Sequence, residues 1–372
     1  MINNRFLGLD AFRGLCAVFV VIYHMHLTDS ITELDFFRGS WIFVEFFFVL
    51  SGFVLTFSLC SKSSIRFGSY VISRFFRIYP LHFAMFVVFF SFQILKLVLL
   101  YQFSISTENP PFSGKNALNE VLPNILLLQS WTSFTSHSFN YPSWSISIEF
   151  YLYFLLFGVI FLFDKIKIFL FPILFLVFWL LFLSGSDFFV ESVLRGFSSF
   201  FAGCCTYLVF SKLGRNVNIS PVLATIIEIT LIASTFVFVS TRMDHSMVVA
   251  PLLFSIVVFF FAFEFGFFSR ILKHSIFQKL GTLSYSIYMT HAAYIYILGV
   301  VTVLLEKKGY GVSHTLNEGI NYLDYGNAST NNFVILFSLI FILMISIFTY
   351  RFIEIPFQNI GKRVLKERTC VY

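Results

Sequence analysis

Apolar positions recur in runs of about 20 residues, the length that carries a helix across the hydrocarbon core of a bilayer. Windows of about 19 residues place ten spans, near 9–27, 41–60, 78–100, 143–163, 168–185, 192–210, 219–240, 247–268, 281–303 and 332–353. The pattern predicts an all-α polytopic membrane protein, with 1–372 forming one domain and no hydrophilic domain appended. One segment is ambiguous. "EVLPNILLLQSW" (Glu120–Trp131) is short, contains Pro123, and reads as an interfacial or re-entrant helix. The longest outer loops are about 103–142 and 304–331. No internal repeat is visible, which weakens the case for an inverted-repeat transporter.

Charge orients these spans. With the N-terminus placed in the cytoplasm, 16 of the 25 Lys and Arg fall in inner segments, 5 in outer ones and 4 within spans. Cytoplasmic loops carry such an excess, so both termini are expected inside. The net charge of +6 is then an inner-face bias, supplemented by binding of anionic ligands or lipids, and calls for no nucleic acid. Composition agrees: 58% of residues are hydrophobic, 12% are charged and the mean hydropathy is +0.85. The 56 phenylalanines read as lipid-facing filler. Cys16, Cys60, Cys204, Cys205 and Cys370 have no disulfide or metal spacing, and no His, Cys and carboxylate cluster suggests a metal. Asp10 and Arg13 interrupt the first apolar run, so the N-terminus is not expected to be a cleavable signal peptide.

Polar residues inside the spans carry the candidate chemistry, because a charge at membrane depth costs about 2.5–3.5 kcal/mol. "LDAFRGLCAVFVVIYHMH" holds Asp10, Arg13 and His24. Arg13 and His24 are 11 positions apart, which puts them within about 20° on a helix and about 16 Å apart along it. Asp10 lies one turn before Arg13 and can pair with it. The stripe reads as the wall of a polar passage; the bland alternative is an arginine snorkelling at one end and a histidine capping the other. "WIFVEFFFVLSGFVL" buries Glu45, while its Ser51-Gly52 pair suits close helix packing. "SRFFRIYP" sets Arg74 and Arg77 on one helix face, either as topology signals or as a guanidinium surface for phosphate.

"PSWSISIEFYLYF" opens the fourth span with Ser143, Ser145 and, one turn in, Glu149; Trp144 is expected in the interfacial aromatic belt. "LGTLSYSIYMTH" carries Tyr285, Tyr288 and His291, either a substrate face or helix–helix hydrogen bonds. "YRFIEIP" places Arg351 and Glu354 three apart, as an ion pair before a break at Pro356. GxSxG, HExxH and Walker A patterns are absent. His24 and Asp29 form an H-x4-D spacing found in glycerolipid acyltransferases, but the phosphate-binding partner motif of those enzymes is missing.

Taken in order, Arg13-x10-His24, "FFFVLSGFVL", Arg74-x-x-Arg77, "WSISIEFYLYF", "LSYSIYMTH" and "RFIEIP" resemble the integral-membrane acyltransferase-3 family, which includes O-antigen and other surface-polysaccharide O-acetyltransferases. The resemblance implies an acyl donor, usually acetyl-CoA, taken as a substrate from the cytoplasm, with no tightly bound cofactor. The acyl group would pass to a hydroxyl of a polysaccharide or lipid-linked oligosaccharide across a bacterial cytoplasmic (inner) membrane. Arg13 and His24 match the family's essential pair, and Arg74 with Arg77 its inner-face pair linked to coenzyme A. Glu45 stands where the family often has aspartate. Some relatives carry a fused extracytoplasmic hydrolase-like domain; none is expected here. His24 suits the general base, with Glu149 or Asp29 orienting it. Asp10, Glu45, Ser145, Tyr285, Tyr288 and His291 are the candidate substrate-binding groups. Direct attack on the thioester is preferred over an acyl-histidine, though both remain open. The rivals are a proton-coupled permease using His24 and Glu149, and a noncatalytic partner in polysaccharide assembly.

Overall fold

A computed structural model describes residues 5–370, apart from 62–65, 106, 108, 132–136, 215–216, 218 and 318–319. Of the inner charges counted above, Lys62 and Arg215 lie outside the described residues. Each of the ten expected spans coincides with a helix. They are α1 (Leu7–His24), α3 (Phe43–Cys60), α4 (Phe67–Phe103), α6 (Ser143–Leu162), α7 (Lys167–Leu183), α8 (Glu191–Leu213), α9 (Pro221–Thr241), α10 (Ser246–Phe261), α12 (Ser275–Lys307) and α13 (Ala328–Thr349). Eight spans are long and apolar enough to cross a membrane, and α7 and α10 are shorter apolar helices. A helix satisfies every backbone group internally, which is why these runs fold this way in lipid. Local signals set some ends: Ser220 caps α9 ahead of Pro221, and Asn327 caps α13. The short helices are α2 (Asp35–Gly39), α5 (Val121–Ile125) and α11 (Phe267–Leu272), and α14 (Ile355–Cys370) closes the chain.

Close backbone approach fixes two of the helix crossings. A Cβ on Gly52 of α3 would stand 2.0 Å from the Phe200 carbonyl oxygen of α8, and one on Gly203 would stand 1.9 Å from that of Val49. The Ser51-Gly52 packing role holds for the glycine. On α1 and α12, a Cβ on Gly14 would meet Gly281 N at 2.5 Å, and one on Gly281 would meet the Asp10 oxygen at 2.2 Å. Membrane helices lack a hydrophobic drive between them and use such small residues to pack.

Three expectations are corrected here. The last span does not break at Pro356: a π-turn at Tyr350–Glu354 leads straight into α14. Proline removes one helical donor and crowds the preceding turn, and the wider π-turn accommodates both. That turn also parts the expected pair: Arg351 is exposed, while Glu354 is buried and accepts from Ser286 Oγ at 2.5 Å. Trp144 is buried and covers Arg195, so it is no belt residue. The Glu120–Trp131 segment, read as an interfacial or re-entrant helix, is α-helical over α5 alone, Val121–Ile125. Its Leu122 and Leu126 are exposed, while Asn124, Gln129 and Ser130 are buried, bonding to His82 and to the first residues of α6. The second long outer loop folds as a hairpin, β1 (Ser313–Asn317) and β2 (Ile320–Asp324), whose Leu323 bridges Leu27 just past α1.

Candidate active site

A cavity of about 650 Å³ opens among α1, α3, α4, α6, α12 and the π-turn. Arg5, Asp10, Arg13, Arg74 and Arg77 line it, with Ser51, Glu149, Tyr153, Ser145, Tyr285, Tyr288 and Glu354. Such a volume falls within the ~300–1,000 Å³ of small-molecule sites. Arg13 is fixed to α12: its Nε donates to Ser284 Oγ and its Nη2 to the Gly281 carbonyl, both at 2.9 Å. The expected Asp10 pairing is present at 3.4 Å, and Arg5 joins it at 2.5 Å. Arg74 stacks on Tyr70 and Tyr153, yet its buried Nε has no hydrogen-bond partner. Arg77, one turn on, is exposed. A planar donor fork with an unused N–H beside a second guanidinium matches an anionic oxygen group.

Deeper in the cavity, Glu149 accepts from Ser51 Oγ at 2.5 Å and from Tyr153 at 2.8 Å. Tyr285 donates to the Ile78 carbonyl at 2.6 Å. Ser145 and Tyr288 share a hydrogen bond of 3.0 Å. His24 does not line this cavity. Its ring packs 4.7 Å from Tyr141 and stacks 5.2 Å from His291, while the His291 ring lies 5.9 Å from Tyr288. The helical arithmetic for α1 holds, since Arg13 and His24 both meet α12; the continuous passage does not, because Tyr288 and Ser145 stand between. Neither carboxylate offered as an orienter reaches His24. Glu149 is committed inside the cavity, and Asp29 is exposed in the turn after α1. The reason is geometric: Tyr141, two residues before α6, meets the His24 ring, while Glu149 lies more than a turn inside α6.

His291 is fully buried, and its Nδ1 stands 3.3 Å from the Ile287 carbonyl oxygen. A carbonyl accepts only, so Nδ1 carries the proton and Nε2, buried without a partner, is left with a lone pair. Glu45 is placed away from the cavity lining, as a fully buried carboxylate whose Oε1 takes both Nε and Nη2 of Arg195 at 2.7 Å. The Arg195 guanidinium is itself held between Trp41, at 5.4 Å, and Trp144, at 5.3 Å. Arg195 was counted only as a charge within a span, the one sequence signal that marked it. Arg38 was counted only as one of the five outer charges. From α2 it donates to the carbonyls of Ile22, Met25 and Thr32 and bonds the His26 ring, so it pins the chain just after His24. Tyr322 of β2 then lies 5.2 Å over His26. Nothing local in the sequence announces Tyr141, which Asn140 helps hold by donating to the Met289 carbonyl at 3.1 Å.

Two of three similar proteins carry acyltransferase names. Acyltransferase MdmB of Streptomyces mycarofaciens is 36% identical over 114 residues, 30% of this chain and 26% of that protein. Peptidoglycan O-acetyltransferase OatA of Listeria monocytogenes is 28% identical over 172 residues, 42% of this chain and 24% of that protein. Protein 2 in the picA locus of Rhizobium radiobacter is 37% identical over 82 residues, 21% of this chain and 41% of that protein. The chain thus spans about a quarter to two-fifths of the length of these relatives. No solved structure matches. The family model described as an acyltransferase domain matches residues 6–351, nearly the whole chain, and the protein belongs to the acyltransferase-3 family of polytopic membrane proteins.

Proposed function

We propose that this protein is an O-acyltransferase that moves an acetyl group from acetyl-CoA to a hydroxyl of a cell-envelope glycan or its lipid-linked precursor. In this reading both termini and the arginine end face the cytoplasm of a bacterium, and His24 faces the acceptor. The observation that carries it is the cavity itself, with Arg5, Arg74 and Arg77 among its lining and Tyr288, next to the histidine pair, bounding it on the other side. The 16-to-5 distribution of basic residues supports the orientation, and a relative named for peptidoglycan O-acetylation supports the class of acceptor.

The donor's phosphates pair with Arg74 and Arg77, where the unused Nε of Arg74 takes an oxygen. Its thin arm runs past Arg13 and Glu149 and brings the thioester to Ser145 and Tyr288. The His24 imidazole removes the proton from the acceptor hydroxyl as its oxygen attacks the thioester carbon. The C–S bond then breaks, and the proton returns from the imidazolium to the departing thiolate. Tyr141 and His291 pack against the His24 ring and against each other, a three-ring cluster that restrains its orientation.

Membranes containing the protein and its native glycan, given acetyl-labelled acetyl-CoA, test this. Label is expected in the glycan as an alkali-labile ester, with one free thiol released per acetyl transferred. Movement of a solute without thiol release would instead support a permease and overturn the enzyme reading.

A further inference from the structure

Tyr288 and Ser145 differ from the other hydroxyls around them in what their protons are doing. Tyr285 and Tyr153, also on the cavity wall, donate to the Ile78 carbonyl and the Glu149 carboxylate, acceptors that hold a proton donor in place. Tyr288 and Ser145 are bonded to each other at 3.0 Å, hydroxyl to hydroxyl, and either can donate. The other bond of Ser145, to the Pro142 carbonyl, is long at 3.4 Å. Both residues are buried, at 6% and 7% exposure, on rigid elements, the middle of α12 and the first turn of α6. Asn140 ties the loop before α6 to the residue after Tyr288.

We infer that the hydroxyls of Tyr288 and Ser145 are the oxyanion-stabilising pair of the transfer reaction. This rests on the proposed function. A thioester carbonyl arriving from the cavity displaces the mutual bond and the long Ser145 bond to Pro142 and receives two donors in exchange, so the number of hydrogen bonds is kept when the pair turns to it. As the acceptor oxygen bonds to the thioester carbon, the carbonyl electron pair moves to its oxygen, and the two hydroxyls hold the resulting negative charge. The pair lies between the cavity and the histidines, with the Tyr288 ring 5.9 Å from His291, where an acyl carbon must sit to meet a hydroxyl activated at His24.

Tyr288→Phe and Ser145→Ala remove one donor each while keeping ring or backbone, and the readout separates turnover from donor affinity. Each variant is expected to lower turnover at saturating acetyl-CoA by about 100-fold, the usual loss for one oxyanion donor, with the KM for acetyl-CoA unchanged. The double variant is expected to fall well short of the product of the single losses, because groups that act as a unit are not additive. Protection of the folded protein by coenzyme A in a thermal melt, retained in both variants, shows that the loss is not misfolding. A rise in KM at unchanged turnover would overturn the inference in favour of a donor-binding role. A rise in acetyl-CoA hydrolysis without acceptor would overturn it in favour of a barrier that keeps water from the thioester. An inactive wild type would remove the proposed function and this inference together; an active wild type with an unimpaired Tyr288→Phe removes this inference alone.

Discussion

At the arginine end of the cavity, charges come in pairs from one helix: Asp10 with Arg13 on α1, and Arg74 with Arg77 on α4. At the histidine end, each ring comes from a different segment: His24 closes α1, Tyr141 precedes α6 and His291 lies inside α12. The first end takes its charge pairs from spacing on a helix, and the Gly14–Gly281 crossing lets Arg13 anchor on α12. The second depends on Arg38 pinning the chain after α1 and on a hairpin some 300 residues further along. A site of the first kind presents charge along a helix and suits a charged ligand. A site of the second kind fixes the angle between rings, which proton transfer requires.

If this division of labour is right, changes at the two ends must fail differently. The largest effect is expected for His24→Ala, which removes the base: turnover falls by about 10²- to 10⁴-fold, while coenzyme A still protects the protein in a thermal melt. Loss of that protection would show that the two ends are one binding site. Next comes Arg74→Ala, whose unused donor is assigned to the donor's phosphate. A charge-assisted bond worth about 1.5–3 kcal/mol predicts a KM for acetyl-CoA raised by roughly 10- to 100-fold, with turnover at saturation far less affected. An unchanged KM would reduce Arg74 and Arg77 to topology signals.

The smallest effect concerns the support of the histidine end. Burial, with Arg38 adding to it, lowers His26, outside the span, from its ordinary value to about 4. A histidine lowered on folding takes up its proton more readily when unfolded, so its contribution to stability is full above about 6.5 and is lost as pH falls toward 4. Melting of the purified protein is therefore expected to drop over that interval, and less steeply in His26→Asn. Equal slopes would mean that burial and Arg38 do not lower this ring on folding.

Much of the fold could be read from the chain because bilayer thickness sets helix length, and ten apolar runs gave ten helices. The same physics made Asp10, Arg13 and Glu149 conspicuous, since each is costly in lipid and so demands a partner or a cavity. What escaped was non-local. The route by which the chain enters α6 decides that Tyr141, not Glu149, meets the His24 ring, and no spacing within "PSWSISIEF" encodes that. Arg351 and Glu354 have ion-pair spacing for a regular helix, but the π-turn puts them on different sides. The hairpin over His26 lies in a loop whose strands acquire their register from each other and from Leu27.

The most direct measurement uses sealed vesicles of both orientations, each containing the protein and glycan, with labelled acetyl-CoA added outside. Consumption of the donor is expected only when the face bearing Arg74 and Arg77 is outward, with the acetylated glycan recovered from the lumen. Donor consumed equally from either face, or acetylated glycan formed on the side where the donor was added, would contradict a path that runs from the arginines to His24.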